Sequence, residues 1–461
     1  MTNEKKPRLT AERRIMPSMD RLHPWEHYAE ELLVEYRQCE EEGLDVAPYK
    51  AMFETVQQMP QGEFRERFAD LLGDMVLNLP MREDYPFDEP NALEEIRACR
   101  NLSLWQAAPV DEASLRDRLT GAWYGRICGC LLGKPVEGMR TNELHPMLKK
   151  AGNWPLHRYI RRDDVPAEDA QRYRFKLWKN TCVDEIECAP SDDDTNYTVL
   201  YQKLVEECGR DFTPYDVERL WLRNQPKDAY CTAERRAFSN FVKGYAPPDS
   251  AVVQNPYREW IGAQIRGDYF GYINPGKPEA AADMAWRDAC ISHVKNGIYG
   301  EMWASAMIAC AAVSDSMEAI ILGGLAQIPE KSRLFRDVTS VVNDWRSGVP
   351  QEDVFARIHT EWDEYNAHDW CHTNSNAMIV AAALLYGEND FGRSICMAVE
   401  TGFDTDCNGA TVGSVIGMVK GAAAIGEDWK KPVNGKLRTE IFGLECLSID
   451  ELVDKTMKHI G

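Results

Sequence analysis

Glycine recurs at every fourth position in two distant apolar stretches of this chain. The first set is Gly121, Gly125, Gly129 and Gly133, and the second is Gly409, Gly413, Gly417 and Gly421. A glycine inside a helix destabilises that helix by up to about 1 kcal/mol relative to alanine, so packing has to offset this destabilisation. Because residues four apart share one helix face, the glycines form a groove that lets another backbone approach closely. The pattern predicts two tightly buried central helices.

The rest of the chain also favours helices. Apolar residues follow helical spacing in segments 195–208, 217–223, 280–294, 300–313, 317–326, 333–345 and 377–385. The alternation that is typical of strands is scarce. The sequence therefore predicts an all-α fold, with a catalytic body at 111–461 and a helical N-terminal extension at 1–110. In the extension, helical spacing begins at Trp25, stops near Gly43 and returns from Phe64 to Leu79. Packing or oligomer contact is the default interpretation of that unit.

Composition limits the classes of partner. The formal net charge is −21, and such a field repels phosphate backbones, so neither a broad nucleic-acid surface nor an anionic-membrane surface is expected.

The segment Met1 to Arg14 is charged and lacks the apolar core of a signal peptide. The longest apolar run, Ala377 to Tyr386, is too short to span a bilayer and predicts a buried helix. Irregularly spaced cysteines indicate reduced, mostly buried thiols in a cytoplasmic protein. The oligomeric state stays open.

Two acidic clusters are the main candidates for a functional site in this sequence. Asp192, Asp193 and Asp194 precede one helical stretch, and Asp404 and Asp406 precede the second glycine stretch. One aspartate at a helix start is explained as an N-cap, but clusters of this size hold more charge than capping needs. Crowded carboxylates repel unless a cation neutralises them, and oxygen ligands suit Mg²⁺, Mn²⁺ or Ca²⁺. If the fold joins both clusters, five carboxylates suffice for a two-metal centre.

Three other residues have both a structural and a functional interpretation. Glu137 follows the first glycine stretch on a tight turn, where it is either a solvated acid or a general acid/base that positions water. His293 and His372 are more often core or loop histidines than ligands. The sequence has no P-loop, no His-Glu-x-x-His motif and no Gly-x-Ser-x-Gly motif, so nucleoside triphosphate, zinc and serine hydrolysis have no support.

These motifs together resemble the ADP-ribosylglycohydrolase family over about residues 115 to 455. The segment 133–137 is similar to the Gly-Ala-Pro-x-Glu ending of the family's first glycine helix, and 193–195 matches its Asp-Asp-Thr. Residues 261–266 are similar to its Gly-Ala-x-Met-Arg segment, 292–293 to its Thr-His pair, and 402–421 to its Gly-Gly-Asp-Thr-Asp helix start. The resemblance implies an all-α orthogonal helical bundle with a binuclear magnesium centre. The long N-terminal unit and several changed positions indicate a divergent branch.

The resemblance also implies roles for individual residues. Asp193, Asp194, Asp404 and Asp406 are expected to coordinate two Mg²⁺ ions, for which Mn²⁺ or Ca²⁺ would substitute. Asp192 is a further predicted metal ligand and stands where a Ser or Thr ligand is usual, and Cys407 stands where a Thr or Ser ligand is usual. Two further departures are Cys130, where relatives carry Asp, and Phe403, which replaces a glycine. Thiolate is a poor ligand for Mg²⁺, so one ion is expected to be held more weakly.

The implied activity is Mg²⁺-dependent hydrolysis of an N- or O-glycosidic bond at C1 of an ADP-ribose-like or related riboside. The substrate is expected to be a small molecule or an ADP-ribosylated group. Glu137 and Asp404 are the predicted catalytic residues. The predicted substrate-binding residues are Arg266, His293, Gly402 and Asn374. Arg266 is the candidate for the diphosphate, because its fork of donors suits phosphate oxygens.

Two alternatives remain open at the level of sequence. One is an inactive family member that acts as a binding or structural protein, which Cys407 and Cys130 favour. The other, ranked lower, is an all-α prenyl-diphosphate enzyme. The first motif of such enzymes has a third acidic residue four positions after its first one. Counted from Asp192, that position here is Asn196. The scissile group, whether arginine, serine, base or free small molecule, is not determined.

Overall fold

The computed structural model describes residues 23–165 and 181–461. Helices dominate these residues. They are α1 Leu32–Glu41, α2 Lys50–Gln58, α3 Glu63–Val76, α4 Leu93–Ala98, α5 Glu112–Gly133, α6 Thr141–Lys150, α7 Asp193–Cys208, α8 Pro214–Asn224, α9 Thr232–Lys243, α10 Asp249–Val252, α11 Asp268–Tyr272, α12 Pro278–Ala289, α13 Asn296–Ala311, α14 Met317–Leu325, α15 Arg333–Arg346, α16 Gln351–Glu361, α17 Ala367–Cys371, α18 Thr373–Tyr386, α19 Phe391–Glu400, α20 Thr405–Lys420, α21 Glu427–Lys430 and α22 Ile449–His459.

Short 3₁₀ turns and one strand pair complete the secondary structure of the described residues. The turns are Pro24–Glu26, Tyr28–Glu30, Ala47–Tyr49, Leu102–Leu104, Lys134–Val136, Arg162–Asp164, Lys227–Ala229, Ala422–Ala424 and Lys431–Val433. Strands β1 (Lys436–Arg438) and β2 (Cys446–Ser448) pair antiparallel, with Leu437 opposite Leu447. The predicted all-α class is therefore confirmed, and each predicted helical segment overlaps a helix whose ends differ by a few residues.

The two glycine helices, α5 and α20, pack against each other along their glycine faces. A Cβ atom added to Gly121, Gly125 or Gly129 would lie closer than 3.0 Å to the carbonyl oxygen of Gly417, Gly413 or Gly409, respectively. Position numbers rise along α5 as they fall along α20, so the two helices run antiparallel. Close packing of this kind offsets the low helix propensity of glycine. The prediction of two buried central helices is confirmed.

The antiparallel packing brings three helix ends to one place. The last residue of α5, Gly133, accepts a 2.9 Å hydrogen bond from the Thr405 hydroxyl at the start of α20. Arg126 of α5 donates a 3.0 Å hydrogen bond to the backbone oxygen of Asp194 at the start of α7. The C-terminus of α5 therefore lies beside the N-termini of α7 and α20, which are the two ends that carry the acidic clusters.

The N-terminal unit forms a small core of its own. Tyr28, Leu32, Phe53 and Leu72 are among the buried residues of that core. Two details differ from the expected pattern. The stretch from Trp25 is broken into two 3₁₀ turns before α1 begins. In α3, three of the apolar positions are exposed on the outer face: Phe64 (74%), Phe68 (47%) and Leu71 (62%).

Buried ion pairs fasten the N-terminal unit to the rest of the protein. Arg258 pairs with Glu35 at 2.7 Å and also with Glu42, and all three side chains are buried. At the other end of the contact, Glu26 pairs with Lys227 at 2.8 Å and with Arg235 at 3.0 Å. Because each charge is out of water, these pairs hold the unit in one orientation.

The cysteines and the longest apolar run of the chain all lie within the described residues. All fourteen cysteines are free thiols, and most of them are buried, as predicted. The apolar run from Ala377 to Tyr386 lies within the buried helix α18. No helix in the described part of the chain combines the length and apolar character needed to cross a membrane.

Candidate active site and metal centre

A cavity of about 720 Å³ opens where the three helix ends meet. Its wall includes both acidic clusters, the turn after α5 and residues of the N-terminal unit. The lining residues used below are Trp25, Glu31, Lys134, Glu137, Arg140, Asp192, Asp193, Tyr257, Trp260, Trp370, Asp404, Asp406 and Cys407. Asp193 and Asp404, more than two hundred positions apart in the sequence, thus face one shared space.

The first acidic cluster starts helix α7. Asp192 is the N-cap residue, and its side chain accepts a 3.0 Å hydrogen bond from the backbone N–H of Asp194. Asp193, the first residue of the helix, lines the cavity. Asp194 is fully buried on the opposite side, where Arg126 donates to its carboxylate at 2.7 Å. Capping therefore explains one aspartate of the three.

The second acidic cluster starts helix α20 after a sharp turn. Gly402 and Phe403 both have left-handed backbone conformations, with φ values of 78° and 57°. Such a conformation costs a side-chain-bearing residue about 1–2 kcal/mol, and the fully buried Phe403 ring offsets this by packing against His359. The turn directs Asp404 and Asp406 towards the cavity.

Carboxylate and thiol atoms that could bind a metal ion lie close together in two groups. Oxygen and sulfur atoms of Asp404, Asp406 and Cys407 lie within 4.8 Å of one another, and so do those of Cys130, Asp192 and Asp194. We call these the α20 group and the α7 group. In the α20 group, Asp406 Oδ1 is buried without a hydrogen-bond partner among the described residues, and in the α7 group the same holds for Asp194 Oδ2.

The electrostatics of the site favour a bound cation. Burial and then the charges of Glu137, Asp192 and Asp404 raise the pKa of Asp406 well above its usual value. Burial, followed by the charges of Asp192 and Glu137, does the same to the pKa of Asp193. A divalent ion would relieve this repulsion and satisfy the orphaned oxygen of Asp406. The donor set therefore fits a hard cation such as Mg²⁺.

The two cysteines add little to such a centre. Burial, followed by neighbouring aspartate charges, raises the pKa of both Cys407 and Cys130 well above the usual thiol value. Burial therefore disfavours the thiolate form of both residues, and sulfur is a poor ligand for a hard cation such as Mg²⁺.

Lys134 begins the 3₁₀ turn that follows helix α5, and Glu137 is the residue directly after that turn. Glu137 lines the cavity, and its charge contributes to the raised pKa values of Asp193 and Asp406, so it lies close to both. Lys134 also lines the cavity, and its ammonium group pairs with the Asp192 carboxylate. Sequence reasoning did not identify Lys134, although it is only three residues from Glu137.

Arg266 does not line the cavity, so its predicted contact with a diphosphate does not fit its position. Its side chain is fully buried, with the guanidinium 2.7 Å from Glu234 and paired also with Asp288. The guanidinium also lies 4.9 Å from the centre of the Trp221 ring. These contacts use the donors that a phosphate would need, so Arg266 holds the core together.

The other three predicted substrate-binding residues also lie outside the cavity wall. His293 is buried, with Nδ1 2.8 Å from the Ser292 hydroxyl. Asn374 lines a separate cavity of about 400 Å³ and donates a 2.8 Å hydrogen bond to Asp337. Gly402 has a φ of 78°, a left-handed conformation that a residue with a side chain adopts only with strain. Its role is the turn before Asp404.

The N-terminal unit contributes to the cavity, which the sequence did not indicate. Trp25 and Glu31 line it beside Tyr257, Trp260 and Trp370. The Tyr257 hydroxyl donates a 2.6 Å hydrogen bond to the backbone oxygen of Trp25. Arg140 stacks its guanidinium over the Trp370 ring at 4.6 Å. Aromatic rings thus share the wall of the cavity with the carboxylates.

Comparisons with known proteins agree with the motifs. The model of the family described as ADP-ribosylglycohydrolase matches residues 111–459. A solved chain titled "ADP-ribosylglycohydrolase-related protein complex" is similar at 16% identity and a TM-score of 0.43, over 75% of this chain and 98% of that chain. Nothing among the curated proteins matches. The backbone likeness is loose, so the family assignment rests on the sequence match, which confirms the expected resemblance.

Proposed function

We propose that this chain, which belongs to the ADP-ribosylglycohydrolase family, is a Mg²⁺-dependent hydrolase of an N- or O-glycosidic bond at C1 of an ADP-ribose-like or related riboside. The observation that carries the proposal is the presence of Asp193, Asp404, Asp406 and Glu137 on the wall of one cavity. The volume of that cavity, about 720 Å³, is in the range that encloses a nucleotide-sized ligand.

Asp404 and Asp406 would hold the divalent cation, with Asp193 facing the same space. When bound, Mg²⁺ would polarise the ribose hydroxyls and offset negative charge on the departing group. Both aspartates sit at the start of the rigid helix α20, whose position is set by the glycine contacts with α5. Rigid support of this kind keeps carboxylate oxygens in the geometry that a cation needs.

Glu137 would act as the general base. Its carboxylate oxygen would accept a proton from the water that attacks C1, and the proton would then be available to the leaving group. The aromatic wall of Tyr257, Trp260 and Trp370 offers flat apolar surface for the base or aglycone. We therefore assign contact with the substrate to residues of the cavity wall. Arg266 and His293 are enclosed, so they no longer have this role in the proposal.

The test is release of ADP-ribose from ADP-ribosylated arginine and serine peptides, and of ribose from simple ribosides, with Mg²⁺ or with EDTA. Glu137→Gln and Asp404→Asn should each lower kcat about 100-fold or more, because each removes a group that acts on the reacting atoms. Asp315→Asn, at an exposed acid that pairs with Arg118, is the matched control. Turnover that is equal with Mg²⁺ and with EDTA would contradict the proposal.

An inactive member that serves as a binding protein is the second candidate. The replacement of a hydroxyl ligand by Cys407 and the pairing of Asp192 with Lys134 favour it. Such a protein would release no product from any of these substrates and would show no divalent-ion or ADP-ribose binding by calorimetry. The prenyl-diphosphate alternative is dropped, because the chain belongs to a glycohydrolase family.

A further inference from the structure

Glu41, the last residue of helix α1, is connected to the cavity through one histidine. Its carboxylate oxygen Oε2 lies 3.0 Å from Nε2 of His368, which belongs to the short helix α17. The other ring nitrogen of His368, Nδ1, accepts a 3.1 Å hydrogen bond from the indole N–H of Trp260. His368 is buried, and Trp260 lines the cavity. Two hydrogen bonds therefore lead from the N-terminal unit to the cavity wall.

The indole of Trp260 determines the direction of both hydrogen bonds. An indole N–H only donates, so His368 Nδ1 has to be the acceptor. The proton of the neutral imidazole then lies on Nε2, where the Glu41 carboxylate accepts it. The hydrogen bond at one ring nitrogen fixes which nitrogen carries the proton. Glu41 thus holds His368 in the form that accepts from Trp260.

Glu41, His368 and His372 have the composition of a metal site. Their ligand atoms lie within 4.8 Å of one another, and two histidines with one carboxylate suit a transition metal. However, His372 Nδ1 accepts a 3.1 Å hydrogen bond from the backbone N–H of Asn374, so the proton of this neutral ring also lies on Nε2. The two Nε2 atoms, 3.0 Å and 3.4 Å from Glu41 Oε2, then offer no lone pair to a metal. The geometry favours a hydrogen-bonded cluster.

Two arginines also lie near the Glu41 carboxylate. Arg37 Nη2 is 2.8 Å from Oε1, and Arg333 Nη1 is 4.0 Å from Oε2. Ion pairing is therefore the alternative role for Glu41. That role depends on the charge of the side chain, whereas the contact with His368 depends on an acceptor oxygen.

Helix α17 also carries residues of the cavity wall. Trp370 and Cys371, which follow His368 closely in the chain, both line the cavity. The backbone N–H of Ile261 donates a 2.8 Å hydrogen bond to the backbone oxygen of Cys371, so the segment that carries Trp260 is joined to α17 a second time. The position of α17 therefore sets the places of two aromatic rings on the wall.

We propose that Glu41 is a positioning residue of the proposed active site, which through His368 fixes the Trp260 ring on the wall that contacts the base or aglycone. The inference rests on the proposed function for the nature of the substrate. It gives the N-terminal unit a role in substrate recognition in addition to packing. Because Glu41 acts through another residue, its loss should affect substrate binding more than the chemical step.

The first test needs no substrate. It follows the indole N–H of Trp260 by NMR in protein with ¹⁵N-labelled tryptophan, where the Trp260 signal is the one that disappears in Trp260→Phe. This signal should shift in Glu41→Ala, because His368 Nδ1 is then no longer held as an acceptor. It should stay in place in Glu41→Gln, whose amide oxygen still accepts from Nε2. A role limited to ion pairing would not be rescued by glutamine.

Glu40→Ala is the matched control, because Glu40 lies on the same helix, pairs with Arg37 at 3.5 Å and has a side chain that is 42% exposed. It should leave the Trp260 signal unchanged. Glu41→Asp covers the case in which Glu41→Ala does not fold. Its carboxylate is one methylene shorter and should not reach His368, so the signal should again shift. An unchanged signal in Glu41→Ala, or in Glu41→Asp if only that variant folds, would overturn the inference.

The second test uses the ADP-ribosylated peptide or simple riboside that wild type hydrolyses. Glu41→Ala should raise its KM about 10-fold with a smaller fall in kcat, because contact with an aromatic ring is weakened while the carboxylates stay in place. An unchanged KM would overturn the inference and leave the proposed hydrolase intact. If wild type releases no product from any of these substrates, the proposed function fails, and the NMR result alone decides whether Glu41 fixes Trp260.

Discussion

Gly125 and Gly413 lie face to face with no side chain between them, so that a Cβ on either would lie closer than 3.0 Å to the carbonyl oxygen of the other. This contact sets the distance between α5 and α20 and, through it, the separation of the helix ends that carry the acidic clusters. The active-site geometry therefore depends on residues far from any reacting atom.

Gly125→Ala should lower the free energy of unfolding by about 3 kcal/mol or more, since the obstructing atoms are backbone and the helices must separate. The gain in helix propensity, about 1 kcal/mol, does not offset this. Urea unfolding followed by circular dichroism measures the change. Gly426→Ala is the control, because the nearest atom to its added Cβ is at 3.6 Å, an ordinary contact. Equal stability of the two variants would show that the helices can move apart freely.

Asp406→Asn should change stability in opposite directions with and without metal. In EDTA the variant should melt at a higher temperature than wild type, because it removes one of several buried, mutually repelling carboxylates. With Mg²⁺ at about 100 times its Kd, wild type should gain about 2.7 kcal/mol and the variant little. Differential scanning fluorimetry in both buffers measures this. A Mg²⁺-induced shift that is the same in both proteins would exclude Asp406 as a ligand.

Acid should destabilise the protein through His372. Burial, which disfavours the imidazolium, lowers the pKa of His372 from 6.5 to about 4. Below pH 6.5 the unfolded chain binds a proton that the folded protein does not. Stability is therefore fully present above pH 6.5 and falls between pH 6.5 and 4, by about 3 kcal/mol.

His372→Asn tests this window. The imidazole Nδ1 caps α18 by accepting a 3.1 Å hydrogen bond from the backbone of Asn374, and asparagine keeps a capping oxygen. The free energy of unfolding of this variant should vary less between pH 4 and 6.5 than that of wild type. His157→Asn, at an exposed histidine, should keep the wild-type pH profile. Identical profiles for wild type and His372→Asn would contradict the assignment.

Arg258→Ala should destabilise the protein by about 3–5 kcal/mol, because Glu35 and Glu42 would be left buried and unpaired. Chemical denaturation with guanidinium chloride measures the loss. Arg67→Ala removes a pair with Glu63 in which both side chains are at least 70% exposed, and it should change stability by less than about 1 kcal/mol. If the two variants lose similar amounts, the ion pairs do not fasten the N-terminal unit.

Patterns that repeat along the chain predicted most of the fold. The glycine period identified α5 and α20, and helical spacing identified the segments around them, because backbone propensity and face periodicity are local properties. The same patterns failed at α3, where Phe64 and Phe68 follow helical spacing and are nevertheless exposed. Spacing identifies one helix face, but it does not say what packs against that face.

The sequence by itself determined that carboxylates gather at two helix starts, since Asp192 to Asp194 and Asp404 to Asp406 are adjacent in the chain. Only the tertiary structure decided which groups share a cavity. In the folded protein Arg266 is buried among acidic side chains, and Lys134 forms an ion pair with Asp192. Trp25 of the N-terminal unit lines the cavity. The physical reason is that burial and ion pairing depend on distances between elements far apart in sequence, and those distances are set by packing.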